Sequence, residues 1–122
     1  MKELFKEESS GDYRFRWYVM PDDTPVQGNA LASGDEAEDK RYEGAILRRL
    51  DRGDVWAWCV VECECTHTSS GIKGSDYLGG CTYEDAKEFL FTFGHDGWDM
   101  IKNSREACEA ECERLRKALC HV

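Results

Sequence analysis

Residues 54–68 read DVWAWCVVECECTHT, and no other stretch restricts the fold as strongly. Side chains alternate along it. Val55, Ala57, Cys59, Val61, Cys63 and Cys65 fall on one side; Trp56, Trp58, Val60, Glu62 and Glu64 fall on the other. A period of two is the mark of an extended chain, so this is the longest expected strand. The turn residues TSSGIKGS follow, and a short return strand through Tyr77, Leu78 and Cys81 would close an antiparallel hairpin. Gly79 and Gly80 permit a bulge or close packing there.

A second alternating run, DYRFRWYVM, sets Tyr13, Phe15, Trp17 and Val19 against Arg14, Arg16 and Tyr18, and PDDTP ends it. If this strand neighbours the long one, Glu62 and Glu64 face Arg14 and Arg16 as a cross-strand charge ladder. Ser33 followed by Glu36 has capping-box spacing, which predicts a helix over about 35–52, stopped by Gly53. Tyr42, Ala45, Ile46, Arg49 and Leu50 form its inward stripe. Thr82 with Asp85 predicts a short helix through YEDAKEFLF, broken by Gly94 and Gly97. A last helix over about 98–119 places Ile101, Ser104, Cys108, Cys112, Leu115 and Leu119 on one face. Residues 1–11 read as a flexible, solvated tail, leaving 12–122 as a single domain. The expected class is α+β: a small, mostly antiparallel sheet of about three strands, packed on one side by helices in the order β-α-β-β-α-α.

Seven cysteines raise the question of chemistry. The amino terminus has no signal-peptide character and no run approaches a membrane span, so a cytoplasmic setting with reduced thiols is expected. Cys63 and Cys65 continue an apolar row, and Cys108 and Cys112 lie on the inner helical stripe; small buried thiols of this kind behave as hydrophobes. The alternative is a zinc-type site in which Cys63, Cys65 and His67 supply three ligands and Cys81 a fourth across the hairpin, although no C-x₂-C knuckle is present. A second alternative is a small enzyme using a Cys/His pair, with His67, His95 (beside Asp96) or His121 as the base. No phosphate-binding loop, dinucleotide pattern, G-x-S-x-G or H-E-x-x-H occurs. The expectation is therefore a non-enzyme without a cofactor.

The net charge of −9 repels phosphate backbones and attracts basic surfaces. Direct nucleic-acid binding is disfavoured, and a basic protein or nucleoprotein is the natural partner. Two acidic stretches stand out: Asp35, Glu36, Glu38 and Asp39, and then Glu106, Glu109, Glu111 and Glu113 on the last helix, of which Glu106, Glu109 and Glu113 are the expected contacts. Rows of carboxylates at helical pitch can imitate phosphates in a basic groove. They also suit a soluble helix face. Trp56 and Trp58 would form an aromatic patch if the outer sheet face were bare, and would be buried on both sides otherwise.

The strings DTPVQGNALASGDEAED, RLDRGDVWAWCVV and GSDYLGGCTY resemble segments of small acidic proteins of bacteriophages, prophages and conjugative plasmids, over about residues 20–83. A looser likeness continues around DMIKNSREA. No catalytic residues come with that resemblance. It implies an accessory role in a mobile element inside a bacterial cell: inhibition of a host defence nucleoprotein or nuclease, a CRISPR effector foremost.

Overall fold

Four antiparallel strands follow one another across a single sheet: β1 (Glu3–Ser10), β2 (Tyr13–Pro21), β3 (Cys59–His67) and β4 (Lys73–Cys81). Among the described residues three α-helices accompany them, α1 (Glu36–Asp51), α2 (Ala86–Thr92) and α3 (Asp96–Cys120). The structure is a computed structural model and describes residues 1–92 and 96–120. The class is α+β, as the alternation predicts.

The first correction concerns residues 1–11. They are no tail: Glu3–Ser10 pairs along β2, making a fourth strand. Its charged residues hid it, because an edge strand exposes side chains on both faces. One extra residue in β1 interrupts the pairing between Leu4, opposite Tyr18, and Lys6, opposite Trp17. That residue is Phe5. The bulge turns its ring inward, where it meets Trp56 at 5.1 Å, Phe89 at 5.8 Å and Trp17 at 6.5 Å between centroids.

The inner face of the sheet carries Phe15, Trp17 and Val19 from β2 and Cys59, Val61, Cys63 and Cys65 from β3, all fully buried. Phe89 of α2 and Met100, Ser104 and Cys108 of α3 close over it. The contact between α3 and the sheet is unusually close at Gly74, directly opposite Cys65. A β-carbon on Gly74 would lie 2.7 Å from Cys108 Cα and 2.6 Å from the Ala107 carbonyl carbon. Only small residues allow a helix backbone this near a strand, and Cys63, Cys65, Ser104 and Cys108 are all small. The thiols are packing groups first.

On the other face, α1 covers one end. Val26, Ile46, Ala57 and Trp58 form a second small core beneath α1 and the loop before it. The long strand expected from residue 55 in fact starts at Cys59. Asp54 accepts from Trp56 N–H and winds Val55–Ala57 into a 3₁₀ turn. This breaks the alternation, so the two indoles enter different cores. α1 is also capped differently from the capping-box expectation. Asp35 is its N-cap, accepting from the Ala37 and Glu38 amides, while Ser33 bonds Asp39. At α2 the cap is Asp85, which accepts from Glu88 N–H; Thr82 instead donates to the Ala57 carbonyl.

Candidate interaction surfaces

Each expected site residue can now be placed. Asp35 and Asp39 spend their oxygens on the α1 cap. Glu36 forms an exposed pair with Lys40, and Glu38 is exposed without an ion pair among the described residues. Residues 22–39 hold Asp22, Asp23, Asp35, Glu36, Glu38 and Asp39 and not one lysine or arginine. Six of the nine net negative charges thus come from this segment. It folds back on itself. Glu43 accepts from Gly28 N–H at 2.8 Å, and Glu36, Asp39 and Glu43 line one depression of about 450 Å³ together with Lys40, Gln27 and Gly28. Spacings of three and four put these three carboxylates on one face of α1.

The α3 carboxylates are in a different condition. Glu109 pairs with Arg105, Glu111 with Arg114, and Glu113 with both Arg116 and Lys117, so their charge is answered within the helix. Arg114 and Arg116, by hydrogen bonding, hold the Glu111 and Glu113 carboxyls below the usual range. Glu106 is exposed and has no ion pair among the described residues. Position separates the two stretches as well. α1 rests against Trp58 just before β3, whereas Cys108 of α3 sits at Cys65, seven residues or about 23 Å further along.

Trp58 is 5 % exposed and donates its indole N–H to the Thr24 carbonyl at 2.7 Å. Trp56 is half-buried among Phe5, Tyr83 and Phe89. Neither forms the surface patch expected of a bare sheet face.

The residues of the zinc-type alternative do not converge. Cys63 contacts Ser104, and Cys65 contacts Cys108. His67 is the last residue of β3 and faces the following turn, with Nδ1 2.7 Å from Ser70 Oγ. Cys81 is opposite Cys59, four residues before Cys63, or about 13 Å along the strand. Among the described residues no group of three or more histidine, cysteine and carboxylate side chains could hold a metal ion. Burial pushes both Cys63 and Cys65 up to about 12, the reverse of what a nucleophile or ligand needs. His95 and His121, named as possible bases, lie outside the described residues.

One surface escaped the sequence reading. Beyond Trp58 and Val60 the outer sheet face is polar. Glu62 accepts from Lys2 at 3.0 Å, Ser75 at 2.7 Å and Tyr77 at 3.2 Å. Lys2 also sits 4.2 Å over the Tyr18 ring. Burial alone would raise the Glu62 carboxyl, but these donors outweigh it and hold it below its ordinary value. Arg16 does stand opposite Glu64, yet its ion pair is with Glu7, and Glu64 turns to Lys2 and Lys73. The expected ladder is therefore a wider network recruiting β1 and β4. Period-two glutamates inside a strand were its only signal.

Among the described residues no helix is long and apolar enough to cross a membrane. No protein-family model, curated protein or solved structure matches this chain.

Proposed function

We propose that the protein is a non-catalytic binding protein that presents the acidic segment 22–39 to a basic surface of a host nucleoprotein or nuclease. The observation that carries this reading is the concentration of charge: six carboxylates and no base within 22–39, beside a depression lined by three carboxylates, Glu36, Asp39 and Glu43, and one base, Lys40. Such a pole steers association with lysine- and arginine-rich grooves and competes with phosphates for them. The resemblance to small proteins of mobile elements supports a defence complex, a CRISPR effector foremost, as the partner. The α3 carboxylates, paired along their own helix, contribute less than the sequence alone implied.

Glu36→Lys with Glu38→Lys reverses four units of charge and leaves the Asp35 and Asp39 caps intact. Used as bait in bacterial lysate at low salt, the native protein is expected to retain a basic nucleoprotein and to release it as salt rises. The double variant is expected to bind that partner at least about tenfold more weakly, with a flatter salt dependence. Glu106→Lys with Glu109→Lys should change binding less. Equal retention by the native protein and the first double variant refutes the proposal.

A further inference from the structure

The Cys59–Cys81 pair has features that packing does not require. The two residues stand directly opposite each other on β3 and β4, and the Cys59 thiol donates to the Cys81 carbonyl at 3.5 Å. Opposed residues in an antiparallel pair have α-carbons about 4.5–5.5 Å apart, inside the range a disulfide spans. Between this pair and the next, Val61 with Leu78, β4 contains an extra residue. The bulge falls at Gly79–Gly80, where Gly80 has φ +64° and its amide donates to Asp22 at 2.7 Å. It frees β4 from strict pleating at this point and gives Cys81 room to turn.

Access distinguishes Cys81, since Cys59 opposite it is as fully buried as the remaining core thiols. Cys63, Cys65 and Cys108 have no exposed surface. Cys81 lines an open groove of about 340 Å³, with Tyr42, Trp58, Gly79, Gly80 and Thr82, and Cys59 lies immediately behind it. Cys112 is half-buried and Cys120 exposed, but neither has a thiol directly opposite on a neighbouring strand.

We propose that Cys59 and Cys81 form an oxidation site: a peroxide entering from the groove reacts at Cys81, and Cys59 resolves the product as a cross-strand disulfide. In the first step the Cys81 thiolate attacks one peroxide oxygen and the O–O bond breaks. Cys81 becomes a sulfenic acid, and the departing hydroxide takes a proton to give water. In the second step Cys59 sulfur attacks Cys81 sulfur, the S–O bond breaks, and hydroxide leaves with the Cys59 proton as a second water. Two thiols lose two electrons and the peroxide gains them. The order follows from access: Cys81 lines the groove, whereas Cys59 is fully buried and donates to the Cys81 carbonyl at 3.5 Å. The neighbouring Cys59 thiol also holds Cys81 below its ordinary value, against burial and the nearby Asp22 carboxylate. This inference is independent of the acidic-surface reading.

The test treats the folded full chain with hydrogen peroxide, blocks remaining thiols with iodoacetamide after unfolding, and maps tryptic peptides by mass. Cys59 falls in peptide 53–73 and Cys81 in 74–87. The expected product is these two peptides joined, fragmenting to a Cys59–Cys81 bond, and separated again by dithiothreitol. In Cys59→Ser, Cys81 is expected to stop at sulfenic acid and to trap dimedone several-fold more than in the native protein. Should that variant not fold, the native map decides alone. A bond between Cys65 and Cys108 or between Cys108 and Cys112, or oxidation confined to Cys120 with Cys59 and Cys81 still alkylated, overturns the proposal.

Discussion

Replacing Gly74 by alanine probes the packing on which the inner face depends. The added carbon would lie 2.6 Å from the Ala107 carbonyl carbon and 2.7 Å from Cys108 Cα, whereas ordinary contact begins near 3.4 Å. Both obstacles are backbone, so no side chain can swing aside, and α3 must retreat by roughly 1 Å. That retreat loosens Cys63 against Ser104 and Cys65 against Cys108 together. A gap of this size forfeits up to about half of each contact's dispersion energy. Overpacking usually costs about 1–3 kcal/mol, and with no local relief the loss should be about 3 kcal/mol or more. Urea titration followed by tryptophan fluorescence measures it, with two glycines as internal controls. At Gly44, inside α1, a β-carbon meets only the Arg48 guanidinium at 3.5 Å, so alanine should stabilise by about 0.5–1 kcal/mol. Gly71, at φ +76° with nothing nearby, should lose about 1–2 kcal/mol from left-handed backbone alone. A Gly74→Ala loss no larger than that of Gly71→Ala refutes close backbone approach of α3.

Phe5→Ala should cost about 2–3 kcal/mol, less than full burial would imply, and lower the thermal midpoint by about 10 °C; an unchanged midpoint would return residues 1–11 to a tail. Glu62 has a folded pKa below its ordinary value of 4.5, so its contribution is present above about pH 4.5 and is lost as pH falls through the folded value. Denaturation midpoints across pH 2–7 should therefore fall less steeply on the acid side for Glu62→Gln, whose stability at neutral pH drops by about 1–2 kcal/mol. Because Cys108 acts as a small apolar filler, Cys108→Ala should cost about 1 kcal/mol and Cys108→Leu about 1–3 kcal/mol, again by urea titration. A Cys108→Ala loss larger than that of Cys108→Leu would show that the sulfur, which also donates to the Ile72 carbonyl at 3.3 Å, does more than fill space.

Much of this architecture was written in side-chain periodicity. Phe15, Trp17 and Val19 alternate cleanly because one face of β2 is buried, and the Ile101, Ser104, Cys108 spacing marks the buried stripe of α3. β1 left no comparable trace: its single inward ring, Phe5, enters through a bulge that no two-residue period can reveal. Asp54 overrode the alternation at Trp56 and Trp58 by a local turn, the kind of side-chain-to-backbone competition that a hydrophobicity pattern does not register. The acidic pole was visible as a run, but the sharing of a depression by Glu43 and Glu36 depends on the loop returning to bond Gly28. The neutral character of α3 was readable in principle, since each glutamate has an arginine or lysine three or four residues away.

The strand order carries a consequence for how the chain assembles. β1–β2 and β3–β4 are each closed by short turns, so both ribbons can form early from local contacts. Their junction, β2 against β3, brings together segments separated by the whole stretch from 22 to 58. Chain-closure scaling makes that joining about 2 kcal/mol more costly in entropy than the five-residue closure between β3 and β4. The seam at the middle of the finished sheet is thus expected to zip last, and lengthening the 22–58 connection should slow refolding more than lengthening the β3–β4 turn by the same number of residues.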